Sequence, residues 1–240
     1  MAHRLSRHGL IAQPAPLSWR VRSTLLIWVI VSLISACATP KSVAALDLSR
    51  QFQAVQKFGP RGIENYEAWR SLISVLGNRT ENTKAIEVNS FFNRHILFRD
   101  DTLVWHQDDY WATPIETLGR GAGDCEDFVI AKYMTLTLLG VPAAKFRLTY
   151  VRALLGGPGS TLSQAHMVLA YYPSLEVEPQ VLDNLITDIK PASQRPDLVP
   201  VFSFNNDGVW MPGNNARPAG NVERLTRWME LQERMRAEGF

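Results

Sequence analysis

Cysteine is nearly absent from this chain. Cys37 and Cys125 are the only two in 240 residues, which excludes a disulfide-built scaffold. A charge excess of one sign is also missing. The 25 basic and 23 acidic side chains leave a net +2, so there is no electrostatic case for nucleic-acid binding. Repeats and low-complexity tracts are missing too, which excludes collagen-like and disordered chains. The one long apolar run, Leu25–Ile34, is shorter than the ~20 residues a spanning helix needs. What remains, 46% hydrophobic and 20% charged, suits a single globular domain with a core of its own and a short appendage.

The appendage has its own charge. Residues 1–38 hold Arg4, Arg7, Arg20 and Arg22 and no acid, leaving the rest with 21 basic against 23 acidic side chains, a net −2. Arg20 and Arg22 precede the apolar run, which ends in the small residues Ser35-Ala36-Cys37-Ala38. That order describes a secretory signal peptide over residues 1–38 and implies export. The one-sided charge argues against a buried core helix there. Two processing routes stay open: cleavage at Ala36-Cys37-Ala38, or a lipoprotein box in which acylated Cys37 tethers the protein to a membrane. Either way the body keeps one useful thiol, Cys125. In an oxidising compartment a lone thiol is a liability unless it is buried or used.

Residues 46–97 read as helical. Tyr66, Trp69, Leu72, Ile73 and Leu76 follow helical spacing up to a stop at Gly77-Asn78, and a second segment covers about 81–96. Residues 99–123 are mixed, with Pro114 interrupting. From Cys125 to Leu139 the chain is apolar nearly all round, which predicts a helix buried mid-domain and ended by Gly140 and Pro142. The period then changes to two, with strands expected at 146–151, 166–172, 177–182, 199–204 and 209–211, and a Gly-rich loop at 155–163. A last helix at about 221–237 sets Val222, Leu225, Trp228, Met229 and Met235 on one side. Helices followed by strands predict an α+β fold, with a helical N-terminal lobe and a central helix packed on an antiparallel sheet.

The densest chemistry is Gly121-Ala-Gly-Asp-Cys-Glu-Asp-Phe128. Cys125 opens the buried helix, where unpaired N–H groups and the dipole favour thiolate and could donate to an oxyanion. Such a nucleophile needs a base, and the base an orienting group. His3 and His8 fall in the leader, and His95 and His106 lie upstream. His166 sits early in an alternating strand, and Asp183 follows near the end of the next, where neighbouring antiparallel strands bring them together. Asp124, Glu126 and Asp127 should raise the thiol pKa rather than lower it. Glu126 and Asp127 could merely complement the helix N-terminus. A hard divalent cation such as Ca2+ would resolve the conflict by cancelling the charge.

These residues carry a resemblance. Tyr110-Trp-Ala-Thr-Pro-Ile-Glu-Thr-Leu118, the Gly-Asp-Cys-Glu-Asp core at 123–127, Lys132-Tyr133, the His166 strand and Leu182-Asp183-Asn184 resemble the bacterial transglutaminase-like cysteine proteinases. The similarity is to the LapG-type periplasmic proteases in particular, over roughly residues 60–212 of a domain taken as 46–240. It implies a papain/transglutaminase-like fold, a catalytic triad of Cys125, His166 and Asp183, and a calcium site using Asp124, Glu126 and Asp127. It further implies periplasmic cleavage of a large surface adhesin near its N-terminus at a di-alanine sequence, promoting biofilm dispersal. Control would come from the periplasmic domain of an inner-membrane receptor that senses cyclic di-GMP.

For the oxyanion hole, Trp105 and Gln107 are candidate second donors by position, beside the Cys125 N–H. Trp105, Tyr110 and Trp111 could form a recognition rim, although such aromatics are more often core. Three rivals remain. A transglutaminase and a peptidoglycan endopeptidase share the acyl-enzyme step, and a calcium-dependent binding module would carry the Cys–His pair as a vestige.

Overall fold

A computed structural model describes residues 46–174, 176–213, 218–222 and 225–240. The leader expected at 1–38 and Cys37 lie outside the described residues. The described part opens with three helices, α1 (Leu48–Gln56), α2 (Gly59–Leu76) and α3 (Glu81–His95). Helix α2 buries Tyr66, Trp69 and Leu76 and ends at Gly77, as the spacing predicts. Helix α3 starts at Thr80, whose hydroxyl accepts from the Thr83 N–H, and buries Val88, Phe91 and Phe92.

The stretch read as mixed is more ordered than its composition suggests. It holds strand β1 (Leu97–Phe98), the short helix α4 (Asp101–Val104), helix α5 (Pro114–Arg120) and strand β2 (Ala122–Gly123). Pro114 does not interrupt; it begins α5. Thr113 and Glu116 form a reciprocal capping box, with proline placed in the first turn, where a missing N–H costs nothing. Helix α5 ends at Gly121, which takes the left-handed conformation at φ +63° that glycine adopts without strain.

Helix α6 (Cys125–Leu138) is the central element. It packs against α3 and α5 on one side and against strands β3 (Phe146–Leu154) and β4 (Ser163–Tyr171) on the other. Wrapped this way, it buries residues all round, which is why its apolar pattern shows no polar stripe. The indole of Trp69 donates to Thr135 (2.8 Å), and Lys84 Nζ donates to the Leu139 carbonyl (2.8 Å), satisfying a helix end under cover.

The sheet has six antiparallel strands in the order β6-β5-β4-β3-β7-β8, adding β5 (Gln180–Leu182), β6 (Lys190–Pro191), β7 (Leu198–Asn205) and β8 (Gly208–Trp210). The strand expected at 177–182 shortens to its last three residues. Helix α7 (Thr226–Glu238) closes the unit, burying Trp228, Leu231 and Met235. Met229 faces outward at 36% exposure and Leu231 takes its place, while Val222 and Leu225 precede the helix. The α+β class and the central helix on an antiparallel sheet are as the sequence predicts.

Candidate active site

Positioning starts with a short ladder. Strands β1 and β2 run parallel, pairing Leu97 with Ala122 and Phe98 with Gly123, and the Arg99 N–H donates to the Gly123 carbonyl (2.9 Å). This ladder brings the start of α4 beside the start of α6, so Asp101 meets Asp124 and Asp127 across a long gap in sequence. One carboxylate oxygen from each of these three lies within 4.8 Å of the others. Asp127 is fully buried, and its Oδ1 accepts the Ala112 N–H at 2.7 Å. A Cβ at residue 123 would sit 2.5 Å from Asp127 Oδ2, so only glycine leaves room there. Asp101 Oδ2 accepts the Tyr110 N–H.

The three acids share a deficiency. Asp101 Oδ1, Asp124 Oδ1 and Asp127 Oδ2 are buried without a hydrogen-bond partner among the described residues. Asp124 occupies the N-cap position of α6 yet makes no side-chain capping bond. Burial first, then the Glu126, Asp127 and Asp101 charges, pushes Asp124 up to about 10. Burial pushes Asp101 up to about 6 against the pull of the Tyr110 N–H, and drives Asp127 well above the carboxylate range. Orphaned hard oxygens from three converging carboxyls are the donor set that a hard divalent cation takes. Of the predicted ligands Asp124, Glu126 and Asp127, the structure brings Asp124 and Asp127 together with Asp101, which no local spacing connects to them, and groups Asp124 with Cys125 and Glu126. Glu126 turns toward Cys125 instead, accepting the thiol hydrogen at 2.9 Å.

Cys125 lies at the first turn of α6, half-buried, in a cleft of 370 Å³ that His166, Ala165 and Gln164 also line. Burial, then the Glu126 and Asp124 charges, raises its pKa strongly, while the Met167 N–H draws it down. Met167 directly follows His166, so strand β4 brings both the imidazole and a backbone donor to the sulfur's side of the cleft.

His166 is buried, and its Nε2 is held by Asp183 Oδ1 at 2.8 Å. Extending the β4–β5 register one step beyond Leu169–Leu182 sets Asp183 beside Val168, a diagonal neighbour of His166. Asp183 Oδ1 also accepts the Leu185 N–H (3.1 Å), and Oδ2 accepts from Arg195 Nη2 (2.8 Å). Burial alone would push Asp183 up; the His166, Leu185 and Arg195 hydrogen bonds overcome it and hold the carboxyl down at about 2. Arg195 is buried and grips Asp197 with the same guanidinium (Nη2 to Oδ2, 2.8 Å). A second cation, Lys132 on α6, faces the same aspartate. It is fully buried with no hydrogen-bond partner among the described residues, and desolvation lowers it to about 7. Neither Arg195 nor Lys132 was singled out for a role from the sequence.

The oxyanion and rim candidates fare less well. Neither Trp105 nor Gln107 lines the cleft with Cys125. Trp105 packs at a tilt against Tyr110, with centroids 4.8 Å apart, and under Arg120 at 5.1 Å, and Gln107 faces solvent. Trp111 is core rather than rim, 4% exposed and stacked on Phe204 at 5.9 Å.

Comparison with known proteins agrees with this geometry. Residues 68–213 match the family model of bacterial transglutaminase-like cysteine proteinases, BTLCP. Among solved structures the chain is similar to Legionella pneumophila LapG in three forms. To calcium-bound LapG it is 38% identical, with a TM-score of 0.67 over 78% of this chain and 98% of that one. To LapG, and to LapG treated with EGTA, it is 40% identical, with TM-scores of 0.66 and 0.68, each over 78% of this chain and 96% of that one. No curated protein matches. A helix-mouth cysteine facing a carboxylate-held histidine, on a fold shared along most of its length, places the chain in the bacterial transglutaminase-like cysteine proteinases, as a cysteine peptidase.

Proposed function

We propose that the protein is a calcium-dependent periplasmic endopeptidase that cuts a large surface adhesin near its N-terminus at a di-alanine sequence, releasing it and promoting biofilm dispersal. The observation that carries the reading is one cleft holding Cys125 at the mouth of α6 and His166 beside it, with the imidazole Nε2 anchored by Asp183. Because Asp183 occupies Nε2, Nδ1 is the nitrogen left for the sulfur and the substrate.

In acylation the Cys125 thiolate attacks the scissile carbonyl carbon, and the Cys125 N–H, at an unsatisfied helix start, donates to the developing oxyanion. His166 gives its Nδ1 proton to the departing amine. In deacylation the neutral imidazole takes a proton from water, whose oxygen attacks the thioester carbonyl, and the thiolate leaves. Asp183 keeps the ring in one tautomer and orientation throughout.

Asp101, Asp124 and Asp127 would hold the calcium ion, with Glu126 adding charge beside them. When bound, the ion supplies positive charge that keeps these acids ionised and relieves the repulsion felt by the thiolate. The calcium-bound and EGTA-treated forms of Legionella LapG support the choice of metal. The basic-apolar-small order of residues 1–38 supports export, with Cys37 as a membrane tether if the lipoprotein box is used. The proposed regulator is the periplasmic domain of an inner-membrane cyclic di-GMP receptor.

One mass spectrum tests the reading. Purified leaderless protein is incubated with the N-terminal region of a di-alanine-containing adhesin from the same genome, with calcium or with EGTA. Two fragments meeting at the di-alanine, only with calcium, are expected. An intact adhesin with calcium present would sink the proposal, and a joined product would make the enzyme a crosslinking transglutaminase.

A further inference from the structure

Strand β4 pairs with β3 along its whole length but with β5 only over Leu169–Tyr171. The segment nearest Cys125 is therefore a strand edge. The phase of the ladder fixes what that edge presents. The Leu155 N–H donates to the Leu162 carbonyl (2.9 Å) and the Tyr172 N–H to the Lys145 carbonyl (2.8 Å), both in the β3–β4 register. Even-numbered residues of β4 thus turn their main-chain groups toward β3, and odd-numbered residues turn theirs away. Of the odd residues, Leu169 and Tyr171 meet β5, and Met167 turns its N–H toward the side of Cys125, whose thiol it draws down. Ser163 and Ala165 meet no main-chain partner on that side among the described residues. Both are exposed, and Ala165 lines the cleft. Phe98 and Leu185, 52% and 48% exposed, line it too.

We propose that the Ser163–Ala165 edge is the docking strand for the substrate polypeptide. An extended segment adds to the sheet there, exchanging N–H and C=O bonds with Ala165, while Phe98 and Leu185 receive its apolar side chains. Strand addition is a general way to hold an extended peptide, with affinity from the main chain and selectivity from flanking pockets. Continuity with the cleft selects this occupant. Two strand residues, roughly 7 Å, separate the Ala165 groups from the Met167 N–H at the sulfur, so a substrate residue paired with Ala165 lies next to the bond being cut. The inference rests on the peptidase reading above and adds where and how the chain is held.

Ala165→Pro tests it. Proline removes only the N–H that points away from β3, at an edge position where its ring is tolerated. With calcium present, kcat/KM for a peptide spanning the mapped cut should fall about fivefold to tenfold, the value of one main-chain bond. Alkylation of Cys125 by iodoacetamide should keep its rate. In parallel, the unaltered enzyme is given peptides methylated at one amide nitrogen at a time, and a loss confined to one amide near the cut is expected. Cleavage by the proline variant at full kcat/KM, or equal cleavage of every methylated peptide, would overturn the proposal. If the variant also loses alkylation, the methylated series decides alone. A concentration-dependent dimer that blocks cleavage would assign the edge to a second copy of the chain and overturn it as well. An unaltered enzyme that cuts no adhesin fragment fails at the earlier step, visibly before any variant is made.

Discussion

On the helical side of the cleft, Asp101, Asp124 and Asp127 face one another, each with a buried oxygen that has no hydrogen-bond partner among the described residues. On the sheet side, Asp183 is buried too, yet its oxygens accept from His166, Leu185 and Arg195. The same side chain responds in opposite ways: Asp124 is pushed up to about 10 by burial and its acidic neighbours, and Asp183 falls to about 2 because its partners outweigh burial. Two like charges within 4.8 Å of each other repel by roughly 3 kcal/mol or more at an effective dielectric near 20, and no salt bridge among the described residues brings a cation to the helical cluster to offset it. The sheet cluster carries its own, Arg195. One half of the site is electrically complete within the chain, and the other is completed by an ion from outside.

Removing the sulfur between the two clusters gives the largest effect. Cys125→Ala should lower peptide cleavage by roughly 10⁴-fold or more, while the rise in melting temperature on adding calcium persists. Residual cleavage would name another nucleophile. Stripping calcium with EGTA should come next, reducing cleavage to background and lowering the melting temperature. Asp127→Asn should shrink that calcium-dependent shift, and calorimetry with and without the ion reads it directly. An unchanged shift would place the ion elsewhere.

Arg195→Met would make the sheet cluster resemble the helical one. It leaves Asp183 buried without its guanidinium and should cost about 3–5 kcal/mol in urea unfolding, with turnover falling too. Lysine at 195 keeps the charge, loses the fork that grips Asp183 and Asp197, and should fall between.

The pH dependence of stability should separate the two clusters in the calcium-free protein. Asp183 is held below the ordinary value of about 4, so its stabilisation is complete above that pH and is lost as pH falls toward about 2. Asp101 is raised to about 6, so its stabilisation is complete below about 4 and is lost as pH rises through 6. Urea midpoints across pH should decline at both ends. Asp183→Asn should flatten the acid limb alone, and Asp101→Asn should make the other limb shallower without abolishing it, because Asp124 and Asp127 are raised as well; a single variant changing both limbs would end the distinction.

How much of this the sequence reveals follows from how local each cause is. Helix α6 is legible because being apolar on every side has one consequence in a small domain, and Gly140 and Pro142 mark its end. His166 and Asp183 are legible because a period of two and a short connection leave few ways to pair their strands. Asp101 is not, since only the two-residue β1–β2 ladder brings it to Asp124. Arg195 is hidden for a similar reason: it enters from the turn before β7, and arginine in a turn reads as solvated. Trp111 follows the exposed polar stretch 106–109 in sequence, and the stacking with Phe204 shows that it is core. Thr113-Pro114-Ile115-Glu116 has the pattern of a capping box, and Pro114 hides it because an isolated proline reads equally as a break.

That capping box offers the smallest effect and the finest test of the comparison. Thr113 caps α5 through the Glu116 N–H (3.1 Å), while Glu116 accepts from the Thr113 N–H (2.8 Å) and from Arg234 Nη1 (2.6 Å). The residue before the cap, Ala112, gives its N–H to Asp127, so the box holds one of the few donors the helical cluster has. Thr113→Ala removes the hydroxyl acceptor and should cost about 1 kcal/mol of stability. If the helical cluster depends on its backbone scaffold as well as on the ion, calcium affinity should weaken severalfold in the same variant. The Asp183 acid limb should not move, because among the described residues no hydrogen bond joins Thr113 or Glu116 to β4 or β5. Titration calorimetry for the ion and urea midpoints between pH 2 and 5 give the two readings. Unaltered calcium affinity would show that Ala112 is held without the cap, and a shifted acid limb would show that the two clusters are not independent.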